Sequence, residues 1–203
     1  DEAIQKELKE IDSFDTYVPL HEQDLSDKEK KEALESLFLL TEKRDGRIKG
    51  RKVAVGSKQR IYDGYEKSDG SSPTVTTDGI FLTGVVDAHE GRDVACLDIG
   101  SAYLTAKNPD RVNMVLRGKL AEMMCRVNPK LYRPYTHTIL RRRYIPMLYV
   151  RLSKALYGML RAALLFYKKL RADLEDMDFV VNPYDPCVAN KVIKGAQCTT
   201  IFW

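Results

Sequence analysis

Apolar residues along the chain recur at two spacings, and the change from one to the other marks its elements. Residues 3–11 read as a short charged helix. Ser26 with Glu29 three residues on forms a capping box, the signature of a helix start. Ala33, Leu34, Leu37, Phe38 and Leu40 then follow as a helical apolar stripe that Gly46 is expected to end. From Ile48 to Val55 basic and apolar residues alternate, which predicts a half-exposed strand. Residues 63–73, rich in Gly, Ser and Asp, read as a loop closed by Pro73. Pro73 also suits the first turn of a mostly apolar helix over Thr74–His89. The apolar run Asp93–Leu97, ending at Asp98, predicts a buried strand. Ala102–Leu104 begins a helix and Val112–Leu116 is a short strand. Residues 117–147 read as basic and irregular, with one helix at 118–126. Leu148–Leu152 is another strand, and Gly158 breaks the pattern. A long helix from about Leu160 to Met177 has Ala163, Phe166, Tyr167, Leu170, Leu174 and Met177 as its expected buried face. Cys187–Ile193 and Cys198–Trp203 form a hairpin about Lys194-Gly195. No internal repeat is evident.

Composition narrows the class. Of 203 residues, 44% are hydrophobic and 31% charged, the balance of a folded globular chain. The longest unbroken apolar run, Ala162–Tyr167, is far short of a membrane span. The sequence opens on Asp-Glu with no apolar leader, so a secretory signal is not expected. Cys96, Cys125, Cys187 and Cys198 are widely spaced. With only His21, His89 and His137 beside them, no zinc spacing arises. An intracellular chain with reduced thiols is the expectation. The phosphate-binding and nucleophile-elbow motifs of the common nucleotide-binding and hydrolase folds are absent from the sequence.

The net charge of +4 hides strong segregation. Residues 1–35 carry net −7, residues 43–60 net +7 and residues 117–171 net +13. Segregated basic stretches point to a polyanionic partner. Alternating bases over 46–60 suit a solvated edge strand, where Lys also prevents aggregation, before they suit phosphate contacts. Arg141-Arg142-Arg143 with Tyr132, Tyr135, Tyr144, Tyr149 and Tyr157 suits base stacking or a core edge. Asp98, ending its apolar run, is either a turn residue or a ligand for a hard cation such as Mg²⁺.

Six ordered blocks carry a resemblance. Residues 47–59 (RIKGRKVAVGSKQ) resemble a basic fingers strand of the form K-x-R-L-V-A-x-G-x-x-Q. Ser72-Pro73-Thr74-Val75 resembles the block opening the helix that follows it. Asp98-Ile99-Gly100-Ser101-Ala102-Tyr103-Leu104 resembles polymerase motif A, and Val112-Asn113-Met114 the V-Y-M strand. Lys154-Ala155-Leu156-Tyr157-Gly158 matches the K-A-L-Y-G of motif B. Tyr184-Asp185-Pro186-Cys187 resembles S-D-P-C. Together they resemble the reverse transcriptase domain of a copia-type LTR retrotransposon polyprotein, from about residue 43 onward.

The resemblance implies an α+β fold, the fingers and part of the palm of a right-hand polymerase. Residues 1–42 would be a helical segment, 43–95 the fingers, and 96–203 a partial palm with a basic insertion at about 117–147. The palm sheet would hold the Asp93–Leu97 strand and the 187–203 hairpin, backed by the 160–177 helix. The activity implied is RNA-directed DNA polymerisation with two Mg²⁺ ions, or Mn²⁺ in their place. Asp98 and the Ile99 carbonyl would be metal ligands. Lys49 and Arg51 would hold the incoming dNTP, with Gly100, Ser101 and Ala102 near its triphosphate. Tyr103 would be the steric gate against a ribose 2′-OH. Tyr157 and Gly158 would pack on nucleotide and template. Partners implied are an RNA or DNA template with primer, and the remainder of the polyprotein: the rest of the palm, the connection and RNase H. No membrane is implied.

After Gly158 the family's L-K-Q-A-P-R-A-W is replaced by Met159-Leu160-Arg161-Ala162-Ala163-Leu164-Leu165-Phe166. The family's Y-V-D-D turn would follow Ile201-Phe202-Trp203. Asp98 is the one member of the catalytic carboxylate triad in this sequence, so the chain alone is expected to be inactive. The alternative is a non-enzymatic nucleic-acid-binding remnant of such an element, and a third class is a structural or protein-interaction domain.

Overall fold

The computed structural model describes residues 2–62, 70–140 and 144–202. In chain order its elements are α1 (Glu2–Ser13), β1 (Tyr17–Leu20), α2 (Asp27–Glu32), β2 (Leu34–Glu42), β3 (Ile48–Ala54), α3 (Gln59–Tyr62), α4 (Thr77–Glu90) and α5 (Ala102–Thr105). Next come β4 (Asn113–Arg117), α6 (Lys119–Val127), α7 (Pro129–Tyr132), β5 (His137–Leu140), β6 (Tyr144–Leu152), α8 (Ala162–Asp176), β7 (Val180–Val181), β8 (Val188–Ile193) and β9 (Ala196–Ile201). The main sheet has the order β1-β6-β4-β2-β3, and β5 also pairs with β6. β2 and β4 run parallel, and the other neighbours are antiparallel. A second sheet, β7-β8-β9, lies against α8 through Leu174, Ala189 and Phe202. The expected α+β class is what the chain adopts.

α1 closes one face of the core. Its Leu8 and Ile11 are fully buried in one cluster with Met114 and Leu116 of β4, Met124 of α6, and Leu148 and Val150 of β6. Each such burial contributes about 1.5–3 kcal/mol. Asp12 on the same helix accepts hydrogen bonds from the Tyr132 hydroxyl (2.8 Å) and the Asn128 amide (3.3 Å). α1 is thereby tied to α6 and α7.

Several expectations are corrected. Ser26 and Glu29 do form the capping box, but their helix ends at Glu32. Its six residues, DKEKKE, bury nothing, so no apolar stripe holds it to the core. The stripe from Leu34 onward instead pairs as β2, from Ser36↔Ala54 to Glu42↔Ile48. Asp45-Gly46 turns that hairpin, with Gly46 at φ 76°. Residues 1–42 thus supply two strands of the main sheet as well as helices.

Residues 117–147 are not irregular where they are described: they form α6, α7 and β5. The Asp93–Leu97 strand does not form. Val94 and Leu97 are 79% and 90% exposed, and among the described residues β9 pairs only with β8. An apolar run states what a segment can bury, and a strand also needs a ladder partner. The second sheet therefore lacks the 93–97 strand that the resemblance placed beside the hairpin. In α8 the buried residues are Ala162, Leu165 and Leu174, with Phe166, Tyr167 and Leu170 partly buried, while Met177 is half exposed. The 187–203 hairpin stands as expected, with Lys194 and Gly195 both left-handed at the turn. Residues 63–69 of the expected loop, the Arg141–Arg143 cluster and Trp203 lie outside the described residues.

Two buried ionisable groups generate predictions. The side chain of Asp185 accepts from the Thr76 N–H (2.9 Å), the Thr76 hydroxyl (2.8 Å) and the Cys187 N–H (2.9 Å), and so pins α4 to the second sheet. Burial alone would push this carboxyl up, but the three hydrogen bonds outweigh it and hold it below the usual aspartate value. Its contribution is present above the unfolded-state value and lost as pH falls through the lower folded one. Asp185→Asn should lower the melting temperature at pH 7, and the difference from wild type should shrink in acid.

Lys52 is fully buried in β3, and its Nζ has no hydrogen-bond partner among the described residues. Desolvation pulls it down from 10.5 to about 7. Between those values the unfolded chain binds the proton and the folded chain does not, so stability rises with pH across that window. Tyr17 and Tyr132, raised by burial, act in the opposite sense above pH ~10. Urea midpoints should therefore rise from pH 7 to 9. Lys52→Met should abolish that rise and add about 2 kcal/mol at pH 6.

Candidate functional site

β3 is an edge strand whose residues alternate between two faces. Gly50, Lys52 and Ala54 are buried on one face. Lys49 and Arg51, opposite Thr41 and Leu39 of β2, are exposed on the other. The N–H groups of Arg51 and Val53 belong to the ladder with β2, so those of Lys52 and Ala54 point off the sheet. Both are satisfied from distant parts of the chain. The Glu7 carboxylate accepts from the Lys52 N–H at 3.0 Å. The Tyr157 carbonyl accepts from the Ala54 N–H at 2.8 Å.

The Lys154–Gly158 block docks on this edge by backbone contact. Gly158 has φ 86°, and a Cβ there would lie 2.0 Å from the Ala54 carbonyl oxygen. A Cβ on Gly56 would lie 2.1 Å from the Gly158 oxygen. Only paired glycines permit that approach. Gln59, buried, accepts from the Leu160 N–H at 2.8 Å and locks the far side.

This docking sets an aromatic stack. The Arg51 guanidinium carbon lies 4.5 Å from the centroid of the Tyr157 ring. The Tyr103 ring is 4.5 Å from that of Tyr157, tilted by 50°, and Phe166 closes on Tyr103 at 6.1 Å. Burial pushes the Tyr157 phenol up. Arg51 opposes that, while Tyr103, Glu7 and Asp98 add to it. Asp98 is thus within electrostatic reach of the stack.

Tyr103 sits on α5, and Ser101 precedes that helix with a left-handed backbone, φ 51°. The Ser101 hydroxyl donates to the Glu10 carboxylate. Ala102 is the first residue of α5. Asp98, Ile99 and Gly100 lie just before it on an exposed stretch without a strand. A Cβ on Gly100 would meet open space, so the approach to this turn is clear.

Of the expected site residues, Arg51, Tyr103, Tyr157 and Gly158 come together. Lys49 shares the face of Arg51, Asp98 acts on Tyr157 electrostatically, and Ile99, Gly100, Ser101 and Ala102 link Asp98 to Tyr103 along the chain. The metal assignment fares differently. Among the described residues no group of three or more His, Cys, Asp or Glu side chains could hold a cation. A hard divalent ion takes six or more oxygens, and two ions need several carboxylates between them. Asp98 and the Ile99 carbonyl on an exposed, unpaired segment do not fit the two Mg²⁺ ions that the resemblance implies.

Glu7, Glu10 and Phe166 are site neighbours that the sequence reading missed. An acidic pair three apart on an amphipathic helix is a faint signal for the first two. Gly56 and Gln59 lie inside the quoted fingers block, yet only the fold shows what they touch. Tyr132 and Tyr149 of the basic block are core residues, 1% and 5% exposed, and no stacking platform. Several of its bases are already paired: Arg117 with Glu35, Arg161 with Asp110 and Arg171 with Glu175. Among the described residues no helix is long and apolar enough to cross a membrane.

Gly158 generates a test. A side chain there costs about 1–2 kcal/mol for the left-handed backbone and also collides with a backbone oxygen. Gly158→Ala should destabilise by about 3 kcal/mol or more. Gly46→Ala, left-handed but facing open space, should show only the backbone part in the same denaturation experiment. No protein-family model and no solved structure matches the chain.

Proposed function

We propose that the chain is the fingers and part of the palm of a copia-type reverse transcriptase, and that the Arg51–Tyr157–Tyr103 stack receives an incoming deoxynucleoside triphosphate. One observation carries this reading. Residues 51, 103 and 157–158, from three separate polymerase-like blocks, converge on one partly exposed surface through an approach that needs glycine at 56 and 158.

The roles follow from chemistry. Lys49 and Arg51 project from one face of an edge strand and suit a polyphosphate, Arg51 through its planar fork. Tyr103 and Tyr157 offer ring faces to a base or sugar. A ring at Tyr103 would crowd a ribose 2′-OH. The backbone of Gly100, Ser101 and Ala102 borders the same space. The reaction implied is nucleotidyl transfer to a primer 3′-OH with pyrophosphate leaving. These residues would bind and orient the nucleotide. The carboxylates for the chemistry are not assembled among the described residues.

A non-enzymatic nucleic-acid-binding remnant is the second reading. The base-rich β2–β3 hairpin, with Lys43, Arg44, Lys49 and Arg51 exposed, favours it. Calorimetry with dATP and ATP, together with anisotropy on a primer–template, separates the two. On the first reading the chain binds dATP, Arg51→Ala weakens it about 10-fold, and Tyr103→Ala narrows the preference for dATP over ATP. On the second, primer–template binds with a steep fall between 50 and 200 mM salt while dATP does not bind. Absence of both would leave a protein-interaction domain. Primer extension by the chain alone is expected to be undetectable, and robust extension would refute the assignment of an incomplete carboxylate set.

A further inference from the structure

Glu7 and Glu10 are three residues apart on α1, so they lie on one face of a helix whose Leu8 and Ile11 are fully buried. Each reaches a different side of the candidate nucleotide site. Glu7 accepts from the Lys52 N–H, one residue from Arg51. Glu10 accepts from the Ser101 hydroxyl, two residues from Tyr103 and three from Asp98. Their contacts span 45 and 91 positions in sequence.

Ser101 is the informative member. It occupies the N-cap position of α5, where a serine side chain ordinarily accepts from an N–H of the first turn. Here it makes no such bond and is committed to Glu10 instead. Its left-handed backbone is sterically disfavoured for any residue with a Cβ, and an outside contact must hold it. The segment before it has little other support. Arg92 is anchored to Asp87, Glu90 and Thr199, and from there to Gly100 the backbone forms no strand or helix. The turn that delivers Asp98 and Tyr103 is therefore hung between Arg92 and Ser101.

We infer that α1 is the positioning element of the nucleotide site: Glu7 fixes the Arg51 side and Glu10, through Ser101, fixes the Asp98–Tyr103 side. This rests on the nucleotide-binding reading above. It gives the acidic N-terminal segment a task. Two carboxylates on one rigid helix set the separation between the cationic strand and the aromatic turn, and neither touches the nucleotide.

The test uses the whole chain, calorimetric titration with dATP and with ATP, and a thermal melt of every variant. Ser101→Ala removes the donor and Glu10→Ala the acceptor. Each should raise the dATP dissociation constant about 5- to 10-fold and narrow the dATP-over-ATP preference, because the Tyr103 ring is no longer aimed. Glu10→Gln, which can still accept, should fall between wild type and Glu10→Ala. The double variant should be no worse than either single one, since both delete the same contact. A merely structural role would lower the melting temperature and leave the sugar preference of the folded fraction unchanged. If Glu10→Ala does not melt cooperatively, Ser101→Ala at the half-buried turn decides. Folded variants with wild-type affinity and sugar preference, beside an Arg51→Ala variant that has lost dATP, would overturn the inference and leave the nucleotide site standing. A wild-type chain that binds no dATP would remove the nucleotide site and the inference together.

Discussion

Everything around the candidate site depends on how the free edge of β3 is closed. An edge strand presents unpaired N–H groups, and a buried one that stays unpaired costs about 1–3 kcal/mol. Two of those on β3, at Lys52 and Ala54, are satisfied from distant parts of the chain and not by another strand. A carboxylate from α1 takes one, and a backbone carbonyl from residue 157 takes the other. The second contact forces the Gly56–Gly158 apposition, because the chain at 158 must lie directly on the backbone at 54. That places the Tyr157 ring beneath Arg51. The first contact fixes α1, and α1 in turn reaches Ser101. Sheet edge, glycine pair, cation–aromatic stack and acidic helix are consequences of one requirement.

The charge segregation reads differently once the chain is folded. Part of the −7 of residues 1–35 is spent inside the molecule. Glu7, Glu10, Asp12 and Glu29 each accept from a donor far along the chain: the Lys52 N–H, the Ser101 and Tyr132 hydroxyls and the Arg111 guanidinium. Part of the +13 of residues 117–171 is likewise neutralised by Glu35, Asp110, Asp173 and Glu175. In the β2–β3 hairpin Arg47 is paired with Asp45 within the turn. Lys49 and Arg51 stand on an exposed face, and Glu7, which they influence electrostatically, is engaged by the Lys52 N–H. Both blocks thus keep exposed bases that an anion could reach, Lys49 and Arg51 in the smaller one and Arg126, Lys130 and Arg133 in the larger.

What was legible in the sequence was what local rules decide. Ser26 and Glu29 cap a helix because three-residue spacing alone sets that geometry. Lys194-Gly195 turns a hairpin because both residues tolerate a left-handed backbone. The alternation of β3 shows directly as buried and exposed faces. What was hidden depends on partners far away in sequence. Leu34, Leu37, Phe38 and Leu40 satisfy a helical spacing, yet β3 and β4 offer them a ladder, and the charged turn before them offers a helix nothing to bury. The converse holds at 93–97, where a strand-like run has no ladder to join. The stack was legible only in parts. Each block named its residue, and no block named Glu10, because a single carboxylate on a helix looks the same whether it faces water or a serine 91 residues on.

The site divides into halves with different support. Arg51, Tyr157 and Gly158 are held by the β2–β3 ladder, by two backbone contacts and by a glycine pair with no freedom to shift. Asp98 is held by its chain neighbours and, at one remove, by Ser101. On the proposed function, nucleotide binding would tolerate that asymmetry, because a polyphosphate chain can adjust to a turn without regular structure. Phosphoryl transfer does not, since its catalysis is largely positioning and charge, and a displacement of about 1 Å can cost two orders of magnitude in rate. Immobilising Asp98 would require residues 93–98 to enter a ladder. In a sheet covered on both faces the same event would also bury Val94 and Leu97, the large apolar side chains of that segment, now 79% and 90% exposed. Apolar burial and carboxylate placement are therefore coupled at this turn: whatever buries Val94 and Leu97 also decides where Asp98 points.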